Sequence, residues 1–305
     1  MITATDPGAG RASSSTTGAR VDAYTIHGVS FTVESDVPIA ARAVADSYGV
    51  FADPDPHAGA LSDRLILQRV ADGYRLVDAT GRAALVRSEQ AAVVGLFDLV
   101  VHAVLDGLRA RGLLAIHAGV VAFEEGAVIL AGPSGHGKST LTLALVRAGG
   151  ALLTDEMAVI ATDDRTILPF PRGLHVRPDT LAMFPELAFV ERRERYDLGG
   201  GSEWSIGARD LAAAYHTGLG GPTRLAGVVV LSDVPDPGRP MELTPLSPAV
   251  TALDLLRGTP AGATDFAGTM RRLGTITAGA RCARLRMGPL DASAHAVRTW
   301  LRAST

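Results

Sequence analysis

Cysteine is almost absent: Cys282 is the only one in 305 residues. No intrachain disulfide can form, and no Cys/His cluster has zinc-ligand spacing, so a reducing, cytoplasmic compartment is expected. Aromatic residues amount to 5% and the formal net charge is −3. A chain whose main partner is nucleic acid usually shows a basic face with aromatic platforms, so nucleic acid is not expected here. Residues 1–20 lack the basic start and apolar run of a signal peptide and read as a disordered leader. Long uninterrupted apolar runs are missing as well. The longest apolar stretch, 91–108, is broken by Asp98, His102 and Asp106 and reads as a buried helix, so no membrane partner is expected.

What remains is an ordinary globular composition, 47% hydrophobic and 20% charged, in a chain long enough for a large α/β core with a smaller appended lobe. Alternating runs at 24–33 and 65–70, separated by turn-rich sequence such as the Asp53-to-Pro56 stretch, predict strands of an N-terminal α+β lobe over 21–113. Helical spacing through Val93, Leu96, Phe97, Val100, Val104 and Leu108 predicts a helix over 88–111, with Ser88 as N-cap and Gly112 past its end. Two apolar runs follow, 114–123 and 127–131, joined by Glu124, Glu125 and Gly126, a connection that fits only a tight antiparallel hairpin. Pairing Phe123 with Gly126 and counting back puts His117 opposite Gly132. Beyond come a helix to Ala148, a strand at 151–153, a hairpin of 157–161 with 165–168 around the turn 162–164, a strand at 224–231, a helix at 247–257, a strand at 283–287 and a terminal helix at 291–301. These make 114–305 the second domain.

Residues Gly132 to Ser139 read GPSGHGKS, which satisfies the Walker A spacing and sits after a strand and before a helix. Glycines at 132, 135 and 137 let backbone amides turn inward toward phosphate, and the helix N-terminus adds its positive partial charge. Lys138 is placed to reach the β- and γ-phosphates, and Ser139 to offer its hydroxyl to magnesium. The expected nucleotide contacts are Gly132, Ser134, Gly135, His136, Gly137, Lys138, Ser139 and Thr140, with His136 at a variable position in the loop.

Phosphoryl transfer to a hydroxyl needs a base or orienting group near the γ-phosphate. Asp155 ends the short strand after the helix, and parallel addition of that strand beside the loop strand would carry it to the nucleotide. Alternation would send Glu156 to the opposite side unless the backbone bends. His117 on an apolar strand is either a satisfied core histidine or a group that orients a phosphate or carboxylate. Arg172, His175 and Arg177, in a proline-stiffened connection, either serve phosphate charge or form a solvated loop. Residues 191–195 read as an exposed helix end, and 199–202 as a flexible hinge.

With these residues in view, the stretch from His117 to Glu156 resembles the catalytic core of the HPr kinase/phosphorylase family, and the order of elements extends the resemblance over 114–301. It rests on His117 before the loop, the loop form from Gly132 to Ser139, and the acidic pair Asp155 and Glu156. The resemblance implies a fold related to the HPr kinase C-terminal domain and phosphoenolpyruvate carboxykinase. It also implies Mg2+-dependent transfer of the γ-phosphate of ATP to a serine hydroxyl, with Asp155 as base. In a kinase built from these residues Lys138 holds phosphates, Arg172 or His117 steadies transferred charge, and Ser139 with Asp155 or Glu156 holds the metal. The family's second acid is an aspartate where this chain has Glu156, and its magnesium-associated glutamate corresponds to Phe170, with Arg172 matched. No counterpart of the HPr-binding loop is present, so the chain looks more like stand-alone relatives that phosphorylate a serine of a peptide or protein, natural-product precursor peptides among them. Self-association is expected from the resemblance. Two other readings stay open: a nucleotide-sensing module without an acceptor, and a kinase of a small metabolite such as free serine, which would need an enclosed pocket beside Asp155.

Overall fold

The computed structural model describes residues 18–54, 63–161, 165–198, 201–260 and 265–303. The expectations for 1–17, for the end of the 53–56 turn, for the 162–164 turn and for the start of the 199–202 hinge lie outside the described residues. The chain forms two compact units, and they do not divide at residue 113. One consists of the chain up to Ala110 together with His175–Gly207, the other of Arg111–Leu174 with Ala208–Thr305. The segment that sequence reasoning left inside the second domain therefore belongs to the first unit.

In the first unit, β1 (Arg20–Ile26) and β2 (Val29–Ser35) form a hairpin, followed by α1 (Pro38–Tyr48), β3 (Ala52–Asp53), β4 (Asp63–Val70), β5 (Gly73–Val77), β6 (Ala83–Val86) and α2 (Glu89–Ala110). The six strands lie in the order β3-β1-β2-β4-β5-β6. Helix α2 starts where the Ser88 hydroxyl accepts from the Ala91 amide at 3.2 Å and ends before Gly112 at φ 71°. By length and composition it is apolar enough to cross a membrane. Its stripe of Val93, Leu96, Val100, Val104 and Leu108 is instead buried, and the helix packs on β2, β4 and β5. Gly107 allows that approach, since a Cβ there would meet Val29 Cγ1 at 2.5 Å. Helix α1 stands where only strands were expected: Pro38 fixes φ for the first helical turn, and the alanines behind it favour helix.

The second unit begins with β7 (Leu114–His117), β8 (Gly119–Phe123) and β9 (Gly126–Ala131), then α3 (Lys138–Arg147), β10 (Ala151–Thr154), β11 (Met157–Ala161) and β12 (Thr166–Leu168). The hairpin has the expected register, with Phe123 opposite Gly126. The single strand expected over 114–123 is two. Pairing with β9 ends at Gly119 opposite Leu130, and β7 pairs with β11, setting His117 opposite Met157 rather than Gly132.

The chain then returns to the first unit for β13 (Leu174–Val176), α4 (Pro178–Ala182), β14 (Arg195–Asp197) and β15 (Ser202–Ile206), whose strands form a small sheet in the order β13-β15-β14. Tyr196 donates to Asp46 of α1 at 2.7 Å, and His175 hydrogen-bonds Ser47 at 3.0 Å. The second unit is completed by α5 (Ala208–Ala214), β16 (Thr223–Leu231), β17 (Glu242–Pro245), α6 (Pro248–Arg257), α7 (Phe266–Ala278), β18 (Arg281–Arg286) and α8 (Leu290–Arg302).

Its large sheet runs β10-β8-β9-β16-β12-β11-β7, with β18 and β17 branching from β16. The centre is parallel: β9 and β18 both run alongside β16. These strands read as nearly unbroken apolar runs because both faces are covered, and Val128, Ile129, Leu130, Val228 and Val229 are fully buried. Strand β10 is not beside β9 as expected. It pairs antiparallel with β8, which is itself antiparallel to β9, so β10 runs in the direction of β9 with one strand between them. Direction, not adjacency, delivers its carboxyl end to the same edge of the sheet. The architecture is mixed α/β.

Candidate active site

The loop between β9 and α3 holds Gly132, Gly135 and Gly137 at φ 151°, 80° and 84°. Gly137 is the residue preceding α3, and a Cβ there would stand 2.8 Å from Pro235 Cγ and 3.2 Å from Met287 Sδ, so both its conformation and its surroundings require glycine. Ser134 and Gly135 are exposed, while His136, Ser139 and Thr140 are half-buried. Lys138 is 6% exposed, and its ammonium donates to the carbonyls of Gly132 at 2.8 Å and Pro133 at 3.1 Å. The lysine therefore folds back over the loop that its own helix closes. Burial lowers its pKa, and the charges of Glu156 and Asp155 oppose that shift.

The bend that the acidic pair needs is present, and Thr154 makes it. This residue is fully buried, and its hydroxyl accepts from the amides of Glu156 at 3.1 Å and Met157 at 3.0 Å. A hydroxyl that bonds the backbone two and three residues on replaces the strand ladder with a turn. Strict alternation thus stops at the junction of β10 and β11. Asp155 is 4% exposed and its Oδ1 has no hydrogen-bond partner among the described residues. Burial pushes its pKa up to about 7, against the lowering influence of Arg172, and Glu156 adds to the rise.

Glu156 joins the remaining groups. Its carboxylate lies 3.0 Å from Arg172 Nη2 and 3.4 Å from His117 Nδ1. The Glu156 carbonyl also lies 3.1 Å from His117 Nδ1 and accepts from the Ala118 amide at 3.1 Å. Because a carbonyl only accepts, this contact places a proton on Nδ1 and leaves Nε2 as the other ring position. Arg172 is brought in by the Phe170 amide, which donates to the Leu153 carbonyl at 2.8 Å and lays the connection after β12 against the end of β10.

Lys138, Asp155, Glu156, Arg172 and His117 thus gather at one edge of the sheet. His175 and Arg177 belong to the first unit, where Arg177 pairs with Glu203 at 2.9 Å. Phe170 is fully buried and offers no carboxylate.

Sequence reasoning missed a cavity that shares His117 and the first loop residues with this cluster. The cavity, of about 780 Å³, is lined by His117, the first loop residues, Asp254, Arg257 and Arg284, and the His117 amide donates to the Gly258 carbonyl beside Arg257 at 2.7 Å. Asp254 and Arg284 are thirty residues apart and meet only because α6 and β18 pack together, so no spacing pattern announces them.

Neither a protein-family model nor a curated protein matches the chain. Several solved structures match, one of them distantly in sequence and in shape. It is titled "Structure of the Hpr(Ser) kinase/phosphatase from Coxiella burnetii", and it aligns at a TM-score of 0.29 and 14% identity, covering 63% of this chain and 99% of that chain. A likeness of this size says nothing of activity, which has to be read from the residues themselves.

Proposed function

We propose that this chain is a phosphotransferase that moves the γ-phosphate of ATP to a hydroxyl, a serine of a peptide or protein being the acceptor class. The observation that carries this reading is Asp155: a carboxyl group nine-tenths buried, with an unpartnered oxygen and a pKa of about 7, within the electrostatic reach of the loop lysine. A base that titrates near the working pH both accepts and releases a proton readily.

In the reaction the acceptor oxygen bonds to the γ-phosphorus, the bond to the β–γ bridging oxygen breaks, and ADP leaves. Asp155 takes the hydroxyl proton. Lys138 exchanges the loop carbonyls it now holds for phosphate oxygens, and Arg172 steadies charge through Glu156. Mg2+ fits these residues in part. Among the described residues no three His, Cys, Asp or Glu side chains gather as a cage, but one or two carboxylates plus phosphates is the usual Mg2+ arrangement. One oxygen of Asp155 and the hydroxyl of Ser139 would hold the ion, leaving the other Asp155 oxygen for the proton, whereas Glu156 is already tied to Arg172 and His117. When bound, the ion supplies neutralisation of phosphate charge.

The test is transfer from γ-labelled ATP with Mg2+, comparing wild type, Lys138→Ala and Asp155→Asn on serine peptides, a carrier protein and free serine. Label on an acceptor that is lost in both variants is the expected result. Nucleotide binding with no transfer to any acceptor would sink the kinase reading and favour a nucleotide-sensing module, which the buried Phe170 at the position of the expected glutamate supports.

A further inference from the structure

The cavity of about 780 Å³ lies at the carboxyl ends of two adjacent parallel strands, β9 through Ala131 and β16 through Val230 and Leu231, where ligands of open α/β sheets sit. It touches the phosphate loop at Gly132 to Ser134, which include the two residues, Gly132 and Pro133, whose carbonyls accept from Lys138, and not at the helix-start residues Ser139 and Thr140. His117, in its wall, is bonded to the residue next to Asp155. The cavity therefore shares His117 and the first loop residues with the cluster of lysine, acids and arginine.

Its lining carries a surplus of positive charge. Asp254, whose side chain is only 12% exposed, accepts from Arg257 Nη1 at 2.6 Å and from Arg284 Nη2 at 3.4 Å. One carboxylate between two guanidinium groups leaves one net charge unneutralised, and each arginine commits a single nitrogen to Asp254. The face of the sheet from which Arg284 leaves is also fixed, because β18 is paired on both sides, by β16 and by β17. A guanidinium held in this way presents its remaining donors as a fork that matches a carboxylate.

We propose that this cavity is the acceptor pocket, and that Arg284, with Arg257, reads a carboxylate on the acceptor. The inference rests on the kinase reading for the word acceptor, but the carboxylate preference stands on the cavity alone. The volume suits a small hydroxy acid or the end of a chain rather than a folded partner. Two sources supply that chemistry, a free hydroxy amino acid and the terminal carboxylate of a peptide, and they are separable by experiment.

The experiment is calorimetric titration of the full chain with L-serine and with a pentapeptide ending in serine, each as the free acid and as the C-terminal amide. The acid is expected to bind at least tenfold more tightly than the amide for one of the two, which names the source, and the preference is expected to collapse in Arg284→Gln and to shrink in Arg257→Gln. Arg257 is 79% exposed on its side chain, so that variant keeps the fold. Equal binding of acid and amide, a preference that survives both substitutions, or no binding of either probe overturns the proposal. So does adenosine binding that is lost in Arg284→Gln, which would make the cavity a nucleoside site. Acid preference without phosphoryl transfer would sink the kinase reading and leave the carboxylate pocket standing; transfer without acid preference would do the reverse.

Discussion

Asp155 costs the protein stability at the pH where it would act. Its folded pKa of about 7 lies above the ordinary value of 3.8, so between those values the native state binds more protons than the unfolded one. The stability tied to this group is fully present below about pH 4 and is lost as pH rises through 7, a span worth on the order of 4 kcal/mol. Asp155→Asn removes the ionisation, so the metal- and nucleotide-free variant should melt at a higher temperature than wild type at pH 8 and at a similar one at pH 4. Transfer should fall by about 10²–10⁴-fold. Melts across that pH range and a transfer assay on the same two proteins check both outcomes. Arg172 holds the pKa of Asp155 down, so in Arg172→Gln the pH-dependent loss of stability should move to higher pH; an unmoved profile would show that the guanidinium is too far away to matter.

At the scale of elements, the bend between β10 and β11 is the device that turns a strand end into a site. Thr154→Val keeps the shape of the side chain but removes the acceptor for two amides, at a cost of about 1–3 kcal/mol. The bend is then free to straighten toward alternation, so transfer should drop while nucleotide affinity stays within about threefold. Gly137→Ala should instead abolish nucleotide binding, because the positive φ and the close approach of Pro235 and Met287 leave no room for a methyl group. Equilibrium binding of a labelled nucleotide to the two variants separates these outcomes. The β8–β9 hairpin was legible because Glu124, Glu125 and Gly126 leave only one way to connect two apolar runs. The break at Ala118 was not, since Leu114 to Phe123 is apolar throughout and nothing local marks the residue at which β7 leaves for β11. The loop and the acidic pair could be read because their chemistry depends on spacing along the chain; the Asp254 and Arg284 wall depends on tertiary packing and could not.

At the scale of the molecule, the first unit is built from two separated stretches of chain. Strands β13, β14 and β15 complete it by packing Tyr196 and Trp204, each 3% exposed, in a unit whose other members precede Ala110. A chain beginning at Arg111 would retain those strands without α1 and α2. It should elute as aggregates in size-exclusion chromatography, whereas the full chain does not, and a monodisperse shortened chain would show that the segment folds by itself. The same interleaving has a consequence in time. During synthesis at roughly 5–20 residues per second, the first 110 residues emerge and must wait several seconds or more before residues 175–207 arrive. In that interval the phosphate loop and β9 are already being made, whereas β16 and β18 follow only after residue 207. The nascent first unit therefore waits with an unfinished surface, and the order of synthesis works against the order of assembly.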